Sequence, residues 1–466
     1  MIAIRNLSIW FILFSCVTSS TFAGTATPAS ASVTSPRFAD FFQDRIMRID
    51  YFHIADKNSE QFTIDKIYRQ GTWAGNPDSL IDPFDNGRYY IKVYDHSTVK
   101  EKTDRLIYSY GFNSYCGEYK TTDMAAKGIK RTYHETALIP FPKEKIKFTI
   151  EWRDRKNKLK PVFTQIIDPT SVDVIAESLS DGVTVIEVLN SGNPHKKVDL
   201  AFIAEGYTRE ELGKFKSDLQ DIIQLVFTYE PYKSLKGNFN IYGVFKASKE
   251  SGTDEPTLGI FKNTAVGTTF NSLYLRRYNL TEENRVLRDI AAHVPYDALN
   301  VVVNHKRYGG GGIYNSFCIF TLNEAKYAYL FLHEFGHSFA GLADEYYAGS
   351  VAYNEFYPSG VEPTEPNITA LIDPAKLKWK EQVSESTKLP TPWEKEAHDK
   401  MGKIEKTRHR AKEEYKGVVG AFEGAGYSSK GLYRSMVNCL MYTSELQPYC
   451  KVCETAIVNV IKHYIR

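Results

Sequence analysis

Near residues 180 to 195 the hydrophobic pattern of this chain changes character, and no other feature constrains its fold as tightly. From about 38 to 165 the apolar runs are short and rich in β-branched and aromatic residues, as in GRYYIKVYDH, LIYSYGF and IKFTIEWRD. Several are bounded by turn clusters such as FDNG and DRKNK, which is the signature of strands. The spacing predicts an all-β, sandwich-like N-terminal domain over 38–165. Its histidines (His53, His96, His134) are scattered and form no chemical cluster. Beyond 180, VTVIEVL, KKVDLAFIAEGY, FNIYGVF and ALNVVVN read as strands with helices between them. Thr208 and Glu211 form a capping box that opens one helix, running to about Phe227. A second helix is expected around TEENRVLRDIAAH. Strands alternating with helices predict an α/β (α+β) domain over 180–466. The four glycines at 309–312 are followed by no Gly-Lys-Ser/Thr, so they read as a flexible bend and not as a phosphate loop. IYNSFCIF, after them, reads as a strand.

The stretch FLHEFGHSFAGLADEYY, residues 331–347, carries the chemistry. At about 100° per residue, Ala328, Phe331, Leu332, Phe335 and Phe339 fall on one apolar stripe, and His333 and His337 fall on the opposite side, about 40° apart. Asn323 is placed to cap the helix and Gly341 to end it in the left-handed conformation. Two imidazoles at i and i+4 can reach one tetrahedral zinc ion. Glu334, beside the first, can take a proton from a zinc-activated water and return it to a leaving amine. The bare pattern also arises by chance, so its surroundings matter. A catalytic zinc needs a third protein ligand. Asp344, seven residues after His337, is the first candidate, Glu345 the next, and a carboxylate farther downstream the third.

The chain begins MIAIRNLSIWFILFSCVTSSTFAG: Arg5, an apolar run from Ile9 to Val17, then small residues. This reads as a signal peptide over 1–23, cut after Ala23, with a spacer over 24–37. The alternative is a lipoprotein signal that anchors the chain through Cys16. No later segment has the length of a transmembrane helix. The 58 basic and 56 acidic residues balance to +2, which gives no support for nucleic-acid binding. Without Cys16, five cysteines remain, too few for a disulfide scaffold. Cys439, Cys450 and Cys453 resemble a structural zinc set, but no fourth ligand is evident, and a thioredoxin-like context for redox chemistry is absent. A disulfide from Cys439 to Cys450 or Cys453 is the expectation. The charged stretch PWEKEAHDKMGKIEKTRHRAKEEYKG reads as a solvated face or a rim for a protein substrate, and its His398 and His409 are not expected to be ligands.

The region from His333 to Asp344 resembles the metzincin pattern HExxHxxGxxH or HExxHxxGxxD, with one extra residue before the glycine. Met441, in NCLMYTSE, resembles the methionine of the metzincin Met-turn. Together VDLAFIAEGYT, HEFGHSFAGLADEYY, GAFEGAGYSSKGLYRSMVNCLM and PYCKVCETAI, in that order, resemble the IgA-peptidase family of zinc metallopeptidases over about 180–466. The strand-rich segment before them resembles that family's N-terminal domain. The resemblance implies His333, His337 and Asp344 as ligands of one Zn2+, Glu334 as general base and Met441 as the Met-turn residue. Tyr346, Tyr347, Tyr427 and Tyr442 are nearby candidates for stabilising a developing oxyanion, with Tyr442 preferred for its place after Met441. The implied activity is that of an exported endopeptidase acting on protein or peptide substrates. Cleavage of immunoglobulin A belongs to the family's namesake and is not carried over. Two other readings remain: a surface protein that binds protein or glycan through the N-terminal domain, with an inactive peptidase-like domain, and a zinc amidase acting on cell-wall or small substrates.

Overall fold

The computed structural model describes residues 35–97, 105–176, 179–322, 326–347 and 356–465. Residues 1–34, with the signal-like segment, Ala23 and Cys16, lie outside them, as does Asn323. The strands of the N-terminal region are β1 (Phe42–Ala55), β2 (Glu60–Gln70), β3 (Tyr89–Asp95), β4 (Leu106–Phe112), β5 (Arg131–Pro142), β6 (Ile146–Arg153), β7 (Leu159–Ile167) and β8 (Val174–Ile175). They form two four-stranded sheets, ordered β5-β1-β2-β8 and β4-β3-β6-β7. Alternate residues point inward, as two-residue periodicity requires. Met47, Ile49 and Tyr51 of the first sheet share one core with Ile91, Val93, Phe148 and Ile150 of the second.

The next strands are β9 (Val183–Leu189), β10 (Val198–Glu205), β11 (Phe239–Lys246), β12 (Thr269–Phe270), β13 (Asn279–Leu280), β14 (Ala298–Val303), β15 (Gly310–Ile313) and β16 (Phe317–Thr321). Six of them build a sheet ordered β15-β16-β14-β10-β11-β9, while β12 and β13 pair by themselves. The four central strands are parallel and both edge strands are antiparallel to their neighbours. β10 is buried along its whole length, which explains why its sequence is apolar without alternation. Its Leu200 and Phe202 pack with the helices Leu212–Val226, Tyr327–Ala340 and Lys451–Ile465. Its Ala201 and Ile203 pack on the other face with the helix Asn284–Ala291 and with Tyr115, Tyr119 and Tyr133 of the N-terminal region. A small third sheet, β17 (Ile368–Thr369), β18 (Phe422–Ala425) and β19 (Ser428–Arg434), follows in the order β17-β19-β18. Among the described residues no helix is long and apolar enough to cross a membrane.

Three expectations change. The glycine run is not a bend: Gly310–Ile313 is the edge strand β15. A Cβ on Gly312 would come within 2.1 Å of the Glu334 carbonyl oxygen, so only glycine lets this strand lie against the helix. The expected disulfide is absent, because Cys439, Cys450 and Cys453 are all free thiols. The charged stretch is not wholly solvated either. It folds into the short helices Lys395–Lys400 and Lys403–Arg410, with His398 and His409 buried and their rings 5.4 Å apart beside Trp393. A fourth detail concerns the His333 helix. It starts at Tyr327 after Lys326, whose own side chain makes no capping bond, and the expected cap Asn323 lies outside the described residues.

Candidate metal centre

The predicted stripe of the Tyr327–Ala340 helix is buried: Ala328, Phe331, Leu332, Phe335 and Phe339 all face the core. Phe331, Phe335 and Phe339 stack in succession. Gly341 ends the helix at φ 58° and ψ 33°, the left-handed region that suits glycine. Its amide donates to the His337 carbonyl at 3.0 Å, and the Leu342 amide donates to that of Gly336 at 3.1 Å. That turn brings Asp344 back toward the helix.

His333 Nε2 lies 3.2 Å from His337 Nε2 and 3.0 Å from Asp344 Oδ1. His337 Nε2 lies 3.3 Å from the same oxygen. His337 Nδ1 donates to the Leu342 carbonyl at 2.6 Å, which turns Nε2 toward His333 and Asp344. Asp344 Oδ1 has no hydrogen-bond partner among the described residues, although it is buried. Two ring nitrogens and a carboxylate oxygen thus crowd one point, an arrangement that a shared proton or a cation must resolve. The titration behaviour follows the same logic. Burial pushes the His337 imidazolium down, but the Asp344 and Glu334 carboxylates outweigh it and raise the group to about 9. Burial pushes the Asp344 carboxyl up, and the His337 and His333 rings reverse this, holding it well below the usual carboxylate range. Two imidazoles and one carboxylate with an open side suit zinc in a catalytic-type site.

The open side is a cleft of about 660 Å³, lined by Glu334, Tyr308, Arg277, Gly311, Gly312 and Tyr442 among others. Met441 is fully buried, and its sulfur packs where Gly336 lacks a side chain: a Cβ there would lie 3.0 Å from Sδ. Glu345 amide donates to the Met441 carbonyl at 2.9 Å, tying the segment after Asp344 to that loop. Glu345 does not join His333 and His337. Its carboxylate turns instead toward Cys450 and Cys453. Tyr442 stacks under the Arg434 guanidinium at 4.2 Å.

The sequence reading missed the contact that one residue makes and missed another residue altogether. Tyr427, there only one tyrosine among several, donates its hydroxyl to Asp344 Oδ2 at 2.5 Å. Arg277 stands in the cleft wall, 56 positions before His333, with no motif around it. Burial disfavours its charge, but the Tyr278 and Tyr346 phenols and the Asp344 and Glu334 carboxylates keep it firmly protonated. A third grouping, Asp50, Asp65 and His134, also brings possible ligands together. There Arg48 pairs with Asp50 and Arg285 with Asp65, so the charge is already compensated.

The sequence profile described as IgA Peptidase M64 matches residues 186–461, and that of the Peptidase M64 N-terminus matches 37–164. The chain belongs to the M64 peptidase family. Membership makes it a peptidase, a hydrolase whose substrates are proteins or peptides, in a family of metallopeptidases. No curated protein sequence gave a match. Among the described residues of the M64 match, the convergence of His333, His337 and Asp344 opens on a large cleft.

Proposed function

We propose that this M64 peptidase is an exported, zinc-dependent endopeptidase with a metzincin-like catalytic half. His333, His337 and Asp344 hold the ion, Glu334 is the general base and Met441 is the Met-turn residue. The convergence of three ligand atoms at the cleft, with Glu334 on the same helix face, carries this reading. Zinc, when bound, supplies Lewis-acid chemistry at the scissile carbonyl and acidifies water in the site. Glu334 accepts a proton from the attacking water and delivers it to the departing amine. Tyr442, in the same cleft, is the assigned donor to the developing oxyanion. β15 gives the substrate its direction. It is the sheet edge beside the cleft, and its Gly311 and Gly312 line the cleft wall. An extended peptide can add to such an edge as a further strand, a geometry that suits polypeptides better than compact small substrates. Export rests on the sequence of residues 1–23.

The test combines bound zinc and peptide cleavage. His333→Ala and Asp344→Ala should each lose one equivalent of zinc per chain relative to wild type. Glu334→Gln should keep its zinc while cleavage of unfolded protein substrates falls by about 100- to 10,000-fold. Undiminished cleavage by Glu334→Gln would remove the general-base assignment.

A further inference from the structure

A second convergence of metal-ligating groups lies apart from the cleft, and the mechanism above makes no use of it. Cys439 comes two residues before Met441. Cys450 and Cys453 stand at the start of the C-terminal helix Lys451–Ile465, and Glu345 follows Asp344. All four are buried, and their ligand atoms lie within 4.8 Å of one another. Cys439 Sγ is 3.8 Å from Cys453 Sγ, far beyond the ~2.05 Å of a disulfide. Two sulfurs at the corners of a zinc tetrahedron, each about 2.3 Å from the ion, are about 3.8 Å apart. Glu345 Oε1 lies 3.3 Å from Cys453 Sγ and 3.7 Å from Cys450 Sγ. A sulfur and an oxygen sharing such an ion stand about 3.5 Å apart.

The surroundings suit thiolates. Cys439 Sγ accepts from the Met441 amide at 3.4 Å and the Cys450 amide at 3.2 Å. Cys450 Sγ accepts from the Cys453 amide at 3.4 Å and sits 3.1 Å from Ser435 Oγ. Glu345 is fully buried. Its Oε1 accepts from Asn367 Nδ2 at 3.2 Å, and its Oε2 has no hydrogen-bond partner among the described residues. Arg434, whose charge acts on Glu345, spends Nη1 on the Gly424 and Glu423 carbonyls. A buried carboxylate aimed at three buried thiols is costly without a cation.

We propose that Cys439, Cys450, Cys453 and Glu345 bind a second zinc ion, which is structural. The fourth ligand missing from the sequence is Glu345, whose nearest cysteine partner is 94 positions away. Four protein ligands close the coordination sphere, so this ion holds structure and activates no water. On binding, each thiol loses its proton to solvent and forms a sulfur–zinc bond, with no change of oxidation state. The ion joins three pieces: the loop carrying Met441, the C-terminal helix, and the segment that delivers Asp344. The inference stands without the peptidase reading.

Cobalt separates the two sites. The full chain, prepared under reducing, metal-replete conditions with Co2+, should bind two ions in wild type and one in the double variant His333→Ala, His337→Ala. Both should show a thiolate-to-cobalt charge-transfer band in the near ultraviolet. Cys450→Ser should lose or strongly diminish that band. Because cysteine variants can misfold, the spectra of wild type and the histidine variant decide the matter. Absence of the band from both would overturn the proposal. So would a Cys439 disulfide to Cys450 or Cys453 found by mass spectrometry in the metal-replete chain. A wild type that shows the band yet cleaves no peptide would leave the second site standing and remove the peptidase reading.

Discussion

Tyr427 sits in a backbone conformation that tyrosine rarely adopts. β18 and β19 pair through Ala425 and Ser428, which leaves Gly426 and Tyr427 as a two-residue turn with φ values of 55° and 65°. Two positive φ values are the mark of a type I′ turn, which favours Asn-Gly or Gly-Gly. A side chain at the second position costs about 1–2 kcal/mol. Its hydroxyl is what the turn delivers, donated to Asp344 Oδ2. Tyr427→Phe removes that bond while leaving the turn unchanged. Metal affinity at the His333 site should fall by about 10- to 100-fold, as with other partners of metal ligands, while the thermal midpoint moves little. Competition with a chelator reads the first and circular dichroism the second. An unchanged affinity would make Tyr427 a packing residue. The sequence shows His333, Glu334 and His337 because all three lie on one helical turn. Asp344 is legible as the next carboxylate after a helix-ending glycine. Tyr427 is not, because its partner is 83 positions away and 31 tyrosines compete for the role.

β15 illustrates the same limit for whole elements. Four glycines predict a bend because glycine weakens strands, and sequence alone does not show what approaches the backbone. Here Gly310 lies against the Ile319 carbonyl and Gly312 against that of Glu334, both where a Cβ would collide. Gly312→Ala should destabilise the protein by about 1–3 kcal/mol, the usual range for overpacking, read as a shift of the urea midpoint. Cleavage should fall as well, because the displaced strand borders the cleft. An alanine variant with wild-type stability would mean that the strand can yield. In the N-terminal sheet, β1, β2 and β5 are joined by His53 between Glu60 and Glu135. Burial pushes the Glu60 carboxyl up, but His53 and Lys120 more than reverse this and hold it at about 2, below its ordinary 4.5. A carboxyl depressed on folding adds stability above its unfolded value and loses it as pH falls toward its folded one. Glu60→Gln should therefore be less stable than wild type at pH 6, with the difference shrinking between about pH 4.5 and 2. Urea titrations across that range check it. A constant difference would assign the loss to packing instead of charge.

The two matched segments, 37–164 and 186–461, would allow two separable bodies, yet the packing crosses between them. Tyr115, Tyr119 and Tyr133 share a core with Ile203, Val301 and Ile319 of the six-stranded sheet. Asn86 Nδ2 donates to the Gly341 carbonyl at 3.0 Å, and a Cβ on Gly341 would stand 2.2 Å from that nitrogen. The strand-rich region thereby fixes the turn that carries Asp344. Asn315 Nδ2 donates to the Gly111 carbonyl at 2.7 Å, and Arg88 Nη2 to that of Phe356 at 2.7 Å. Periodicity predicts the strands on each side, but which face of one sheet meets the other depends on contacts some hundred residues apart or more, and no local pattern records these. A fragment covering 180–466 would expose to water the part of the Ile203, Val301 and Ile319 cluster that Tyr115, Tyr119 and Tyr133 cover. It should aggregate or unfold without a cooperative transition, whereas the chain from residue 36 onward should unfold in one step, with circular dichroism and tryptophan fluorescence giving the same midpoint. A fragment that unfolds cooperatively at the midpoint of the longer chain would show that the catalytic half is self-sufficient, and the Asn86 contact would then be incidental to the site.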